Sequence, residues 1–191
     1  MEAKMQEILD LDRGKSLLLV VDIQERLCTS MAQDELDAML KNTKILIQGC
    51  DILEVPIWQS LQYIKGLGNS VDGLFGESNH SDFEKRAFSV VYEGSPLLAY
   101  LTQNPHRTQI IIVGMETHIC VLQSARDLLN MGFEVVIASD CVISRKSANK
   151  ANALSFLSQC GGIVLNTESV LFDLLKDSKS PQFKAISALI K

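Results

Sequence analysis

The chain has 191 residues, of which 47% are hydrophobic and 21% charged, and its formal net charge is −5. This acidic balance does not favour binding to nucleic acid or to an anionic membrane surface, and no apolar run reaches the roughly 18 residues that a membrane-spanning helix needs. The five cysteines contain no C-x-x-C pair, so neither a disulfide framework nor a zinc ribbon is indicated. We expect one cytoplasmic domain over residues 1–191.

Six short segments rich in β-branched residues predict the strands of a sheet. They are 17–22, 55–60, 88–92, 109–114, 134–139 and 162–166. Most are apolar on both faces, which is typical of strands in a parallel sheet that is covered on both sides.

Helix patterns lie between these strands, at 34–53, 96–104, 117–131, 147–160 and 167–176. Ser95 and Thr167 are predicted N-caps, and Pro96 suits a first helical turn. The alternation predicts an α/β fold, a doubly wound parallel sheet of about six strands with helices on both faces. The stretch 61–83 has four glycines and no periodic pattern, so we expect a long functional loop there.

Three polar residues lie beside predicted strands. Asp22 closes the first strand, Lys85 precedes the segment 88–92, and Cys120 follows the fourth strand in the first turn of a predicted helix. Ligands of open α/β sheets bind outside the carboxyl ends of the strands, so one crevice could hold all three. Together they would supply a base, a charge stabiliser and a nucleophile. Each also has a structural alternative, as a helix cap, a solvated lysine or a buried apolar cysteine.

With their surroundings, these positions resemble the isochorismatase-like cysteine hydrolases, the superfamily that includes nicotinamidase and N-carbamoylsarcosine amidohydrolase. The matching segments are LLLVVDIQERL (17–27), KRAFSVV (85–91) and GMETHICVLQSARDLLNMGFEVVIASDCVISR (114–145). The third is the most specific, with Gly-x-x-Thr-x-x-Cys-Val before a helix and Asp-x-x-x-Ser-Arg after the next strand. QYIKGLG (62–68) resembles the small single-domain branch of isochorismatase-domain-containing proteins.

The resemblance implies a catalytic triad of Asp22, Lys85 and Cys120, with a cis peptide bond between Met115 and Glu116. It also implies an oxyanion hole made by the backbone N–H groups of Glu116 and Cys120. Cys120 would attack the carbonyl carbon of an amide-like C–N bond in a small metabolite. Asp22 would carry the proton, and water would resolve the thioester. True isochorismatases act on a vinyl ether and lack this cysteine, so Cys120 favours acyl chemistry.

This chemistry requires a proton to move from the thiol to the carboxylate. The free groups differ by over four pKa units, roughly 6 kcal/mol against the transfer. We expect burial to raise the pKa of Asp22, and Lys85 and the helix N-terminus to lower that of Cys120. Gln62 and Tyr63 are candidates for lining the substrate pocket.

No metal or other cofactor is expected. Where nicotinamidases carry an Asp-x-His cluster that binds a divalent metal, this chain reads WQSLQY (58–63), and its histidines (80, 106 and 118) lack paired ligand spacing.

Two further residues have predicted structural roles. His118 is expected to cap or pack rather than to form a dyad with Cys120, because residues at i and i+2 face different sides of a helix. Arg145 is expected to pair with Asp140 or with a neighbouring chain.

Family members usually assemble, so we expect a homo-oligomer, a dimer or larger, with the apolar residues of the tail 177–191 docking on the partner. Two rival functions remain beside the hydrolase. One is a non-catalytic small-molecule-binding or scaffolding protein, against which the complete triad argues. The other is a thiol redox protein, which lacks a resolving cysteine near Cys120. RNA cleavage is disfavoured by the acidic charge.

Overall fold

Six parallel strands form one sheet in the computed structural model, which describes residues 10–191. The strands are β1 Ser16–Val21, β2 Ile57–Gln62, β3 Ser81–Lys85, β4 Gln109–Met115, β5 Glu134–Ile143 and β6 Ile163–Leu165. Their order across the sheet is β3-β2-β1-β4-β5-β6. The order reverses direction between β1 and β4, which makes the sheet doubly wound and places a crevice at that point. The predicted fold class is confirmed.

Helices cover both faces of the sheet. They are α1 Glu25–Cys28, α2 Gln33–Ile52, α3 Ile64–Leu67, α4 Pro96–Gln103, α5 Leu122–Asn130, α6 Ser147–Gln159, α7 Thr167–Leu175 and α8 Phe183–Ile190, with a π-helical turn at Thr117–Val121. One apolar core lies between the sheet and α2, α7 and α8; the other lies under α4, α5 and α6. Alternate residues of β1 enter opposite cores, Leu18 the first and Leu19 the second, as a strand covered on both faces requires. No helix in the described range 10–191 is long and apolar enough to cross a membrane.

The prediction of a strand at 88–92 is wrong. The third strand is β3, so Lys85 is its last residue and stands at the carboxyl edge of the sheet. β3 pairs only with β2, and its residues are mostly exposed, so its sequence SDFEK lacks the apolar pattern of a buried strand. The predicted long loop 61–83 is also shorter, because α3 and the start of β3 fall inside it.

The C-terminal tail packs on its own chain. Ile186 of α8 is fully buried, and Phe183, Leu189 and Ile190 pack partly buried against the core that contains α2 and α7. Part of the tail's apolar surface is therefore covered by its own chain, and docking of the tail on a partner stays a prediction.

Helix capping follows the sequence at one predicted site and shifts by one residue at the other. The Ser95 hydroxyl accepts from the backbone N–H of Leu98, with Pro96 in the first turn of α4. Asn166, rather than Thr167, caps α7 by accepting from the N–H of Ser169 at 2.8 Å.

Candidate active site

A buried ion pair lies at the carboxyl edge of the sheet. The Lys85 ammonium is 2.7 Å from Oδ2 of Asp22, and both side chains have no solvent exposure. Ser60, at the same level on β2, donates its hydroxyl to Oδ1 of Asp22 at 2.7 Å. Asp22 has a left-handed backbone with φ of 51°, an uncommon conformation for a residue with a side chain. Both carboxylate oxygens are therefore held in place.

Cys120 completes the group from the other half of the sheet. It follows β4 and lies in the π-helical turn that leads directly into α5, rather than in the first turn of a regular helix. Cys120 is 6% exposed, and Asp22 and Lys85 both lie close enough to its thiol to shift the pKa of that group. The structure thus brings together the three residues that the resemblance implied, with Asp22 and Cys120 on the two sides of the β1–β4 crevice.

The pKa of Asp22 is shifted in the expected direction, whereas the pKa of Cys120 is shifted in the opposite direction to the one expected. Burial raises the pKa of Asp22, and the opposing effects of Lys85, Ser60 and Cys120 are smaller. Burial also raises the pKa of Cys120; the Asp22 carboxylate adds to this rise and Lys85 opposes it. The prediction of a lowered Cys120 pKa is wrong, because the thiol is enclosed and faces a carboxylate. The resting site therefore holds a neutral thiol beside the Asp22–Lys85 pair.

The turn before the cysteine contains a cis peptide bond between Met115 and Glu116, as expected. The Glu116 side chain points away from solvent, and both of its carboxylate oxygens bind Arg145. The Arg145 Nη2 and Nε donate at 2.9 and 3.2 Å, and its backbone N–H donates at 3.0 Å. Arg145 therefore pairs with Glu116 and not with Asp140, whose Oδ1 accepts from Thr167 instead. This link was not predicted, because its partners are 29 residues apart and meet only in the folded chain.

His118 bridges the turn to α6 and the segment before it. Its Nδ1 lies 3.0 Å from the Ser144 hydroxyl and its Nε2 lies 3.3 Å from Nδ2 of Asn149. Both ring nitrogens thus contact groups other than the Cys120 thiol. This agrees with the predicted packing role.

Gln62 and Tyr63 lie next to the ion pair, but their side chains already have partners. The Gln62 amide contacts Lys85 and the carbonyl of Arg86. The Tyr63 ring lies under the Arg86 guanidinium, 3.9 Å from its centre. Gln24, which sequence reasoning did not single out, is fully buried and bonds the backbone of Gln62 through both ends of its amide.

Two cavities of the described structure lie away from these residues. One of about 590 Å³ is lined by 10–13 and by residues of 174–182, and one of about 300 Å³ lies between α4 and the start of β5. Both are at the amino ends of the strands, opposite the triad. Within residues 10–191, no group of three or more His, Cys, Asp or Glu side chains is placed to hold a metal ion.

The sequence from β1 to the start of α7 matches the isochorismatase domain over residues 16–169. The chain belongs to the isochorismatase family. It is 36% identical to isochorismatase family protein 1A of Dictyostelium discoideum, over 97% of this chain and 90% of that one.

Solved structures of similar fold belong to proteins with different names. The MAR1 ribonuclease from Caenorhabditis elegans has a TM-score of 0.88 and 30% identity, covering 95% of this chain and 92% of the other. A pyrazinamidase/nicotinamidase from Streptococcus mutans has a TM-score of 0.66 and 18% identity, covering 78% and 99%. The second likeness shows the shared fold alone. Together, the comparisons support the assignment of this chain as a hydrolase of the isochorismatase family.

Proposed function

We propose that this protein is a cysteine hydrolase that cleaves a C–N bond of a small amide-like metabolite without a metal ion. The observation that carries the proposal is the enclosed Asp22–Lys85 pair at 2.7 Å, which lies close enough to the Cys120 thiol to shift its pKa. Burying two charges costs desolvation energy that their attraction need not offset, so stability alone does not explain this pair. Its position beside a thiol at the β1–β4 crevice fits a base and its counter-ion.

In the proposed reaction, the Cys120 sulfur bonds to the substrate carbonyl carbon while its proton passes to Asp22. The oxyanion that forms accepts hydrogen bonds from the backbone N–H groups of Glu116 and Cys120. The C–N bond then breaks, and the leaving amine takes the proton from Asp22. Water attacks the thioester and gives a proton to Asp22, which returns it to the sulfur as the carboxylic acid leaves.

The raised pKa of Asp22 supports this proton route. A carboxylate with an ordinary pKa would be a poor acceptor for a thiol proton, and burial makes the Asp22 carboxylate a stronger base. Burial raises the pKa of the Cys120 thiol as well, and the Lys85 ammonium opposes that rise. When the proton has moved, Asp22 is neutral and the thiolate faces the Lys85 ammonium. The site then holds one positive and one negative charge, as it did before the transfer.

RNA cleavage is the second candidate, because the similar protein from Caenorhabditis elegans bears the name of a ribonuclease. The net charge of −5 argues against binding to a phosphate backbone.

Cytoplasmic location and homo-oligomeric assembly also remain part of the cysteine hydrolase proposal.

A screen of amides, ureides and nitriles, with single-stranded RNA as a separate arm, tests the assignment. We expect turnover of an amide-type compound, a covalent adduct on Cys120 by intact mass, and no dependence on added metal or on EDTA. Cys120→Ala should abolish both signals. Cys160→Ala is the matched control, because Cys160 is exposed and lies at the end of α6. RNA cleavage that survives Cys120→Ala, or activity that needs zinc or iron, would contradict the proposal.

A further inference from the structure

The Lys85 ammonium has more acceptors than protons. It lies 2.7 Å from Asp22 Oδ2, 2.7 Å from Gln62 Oε1, 3.0 Å from the carbonyl oxygen of Phe88 and 3.3 Å from that of Ala87. An ammonium group donates three hydrogen bonds, and the three shortest contacts account for them. Gln62 is one of the two nearest partners and the only side chain besides Asp22 among the four.

The Gln62 amide is held in one orientation. Its Nε2 donates to the carbonyl oxygen of Arg86 at 2.8 Å, which leaves Oε1 to face Lys85. A flipped amide would place its NH₂ group against the ammonium and lose both bonds. The backbone of Gln62 is fixed as well, because Gln24 accepts from its N–H at 2.8 Å and donates to its carbonyl oxygen at 3.1 Å.

We propose that Gln62 is a positioning residue that holds the Lys85 ammonium against Asp22, and that it does not bind substrate. The inference rests on the proposed function, since it assigns Gln62 a task within the same site. A buried ammonium needs acceptors for its N–H groups in place of the water that it has left. Asp22 provides one such acceptor as an anion. Gln62 provides a neutral one, which fixes the position of the ammonium without adding a second negative charge beside it.

This role can be measured without a known substrate, because the Lys85 ammonium opposes the rise in the pKa of the Cys120 thiol. The probe is iodoacetamide, and the readout is the rate of Cys120 alkylation between pH 7 and 10, followed by peptide mass. Gln62→Met keeps the side-chain length and removes the acceptor. We expect it to slow alkylation by about tenfold at a given pH and to shift the pH profile of the rate to higher pH. This is the effect of raising the pKa of the Cys120 thiol by one unit.

A second variant covers the case in which Gln62→Met does not fold. Gln62→Glu retains an acceptor for Lys85 but adds a carboxylate that competes with Asp22 for the ammonium. Gln62→Glu should also shift the pH profile of Cys120 alkylation to higher pH. The matched control is Gln59→Met, because Gln59 is buried on the same strand and its amide donates to Ser70 at 2.8 Å, away from Lys85. Its profile should equal that of the unchanged protein.

A double substitution tests whether Gln62 acts through Lys85. In a Lys85→Met background, Gln62→Met should cause no further slowing, because the group that it supports is gone. Equal additional slowing in that background, or a profile for Gln62→Met that matches the Gln59→Met control, would overturn the inference. If Lys85→Met itself leaves Cys120 alkylation unchanged, the proposed triad fails as well. The two failures are therefore distinguishable.

Discussion

Gly114 lies opposite Val21 in the sheet, so close that a Cβ at Gly114 would come 2.0 Å from the Val21 carbonyl oxygen. Its φ of +118° is open only to glycine without strain. Asp22 follows Val21 and the cis peptide follows Met115, so this approach brings the two halves of the site together. We expect Gly114→Ala to lower the free energy of unfolding by at least about 2 kcal/mol, measured by urea denaturation.

Gly132→Ala is the control for that substitution. Gly132 also has a positive φ, of 90°, but nothing lies within 4 Å of the position its Cβ would take. Only the backbone strain should appear, at about 1 kcal/mol. Equal losses for the two variants would show that the contact with Val21 has no effect of its own.

Asp22→Asn should separate the reactivity of the thiol from turnover. The Asp22 carboxylate raises the pKa of Cys120, so its removal should speed alkylation of that thiol by about tenfold or more at pH 7.5. Hydrolysis of any substrate found by the screen should fall by about 10²-fold or more, because the proton acceptor is lost. Mass-resolved alkylation and steady-state kinetics measure the two effects. Slower alkylation together with lost turnover would contradict the assigned role of Asp22.

Thr117 contains a buried hydroxyl without a hydrogen-bond partner in the described part of the chain. Such a group destabilises the fold because it has left water and gained nothing. Thr117→Val should therefore raise the free energy of unfolding by about 1 kcal/mol, seen as a higher melting temperature. Thr167→Val is matched to it, at the first position of α7, but its hydroxyl contacts Asp140 and Cys141. That variant should lose stability, and a loss in both would refute the interpretation of Thr117.

Alkaline pH should weaken the fold through its buried thiols. Burial raises the pKa of Cys141 from 9.0 to about 12, so the folded chain keeps a proton that the unfolded chain releases. This contribution to stability is complete below pH 9 and is lost as the pH rises towards 12, by about 1 kcal/mol per pH unit. Cys141→Ala should reduce the slope of unfolding free energy against pH between 9 and 11. Cys160→Ala, at an exposed site, should leave the slope unchanged.

Assembly into a dimer or larger oligomer is the expected state at micromolar concentration. The tail packs in part on its own chain, so other exposed apolar side chains are candidates for the interface as well. Phe88, Met131, Phe156 and Phe172 are the large apolar side chains that the described structure leaves most exposed. Light scattering that finds only a 21 kDa species would refute this prediction.

The sequence predicted the parts of the fold whose residues are buried on both sides. β1 and β4 are continuous apolar runs, and the resemblance around Cys120 predicted the cis bond that the structure contains. β3 was missed because an edge strand needs no apolar face, and Lys85 was consequently placed before a strand instead of at its end. The contacts of Gln62 and Glu116 could not be predicted, since they depend on side chains that meet only after the sheet has formed.

The pKa of Cys120 was misjudged for a related reason. A helix N-terminus and a nearby lysine both favour a thiolate, and the sequence contains both signals. The degree of enclosure and the facing carboxylate of Asp22 have the opposite effect, and neither is visible without the packed structure.

The enclosed pair of Asp22 and Lys85 has a consequence for what can enter the crevice. The two opposite charges lie 2.7 Å apart and sum to zero, and the thiol beside them is neutral at rest. An arriving molecule therefore experiences the field of a dipole and not that of a net charge. Attraction over long distances is weak, and an ionic compound would lose its hydration shell without compensation from a free opposite charge. Uncharged polar molecules incur the smallest penalty at this opening. Their capture rate should therefore vary little with the salt concentration of the medium.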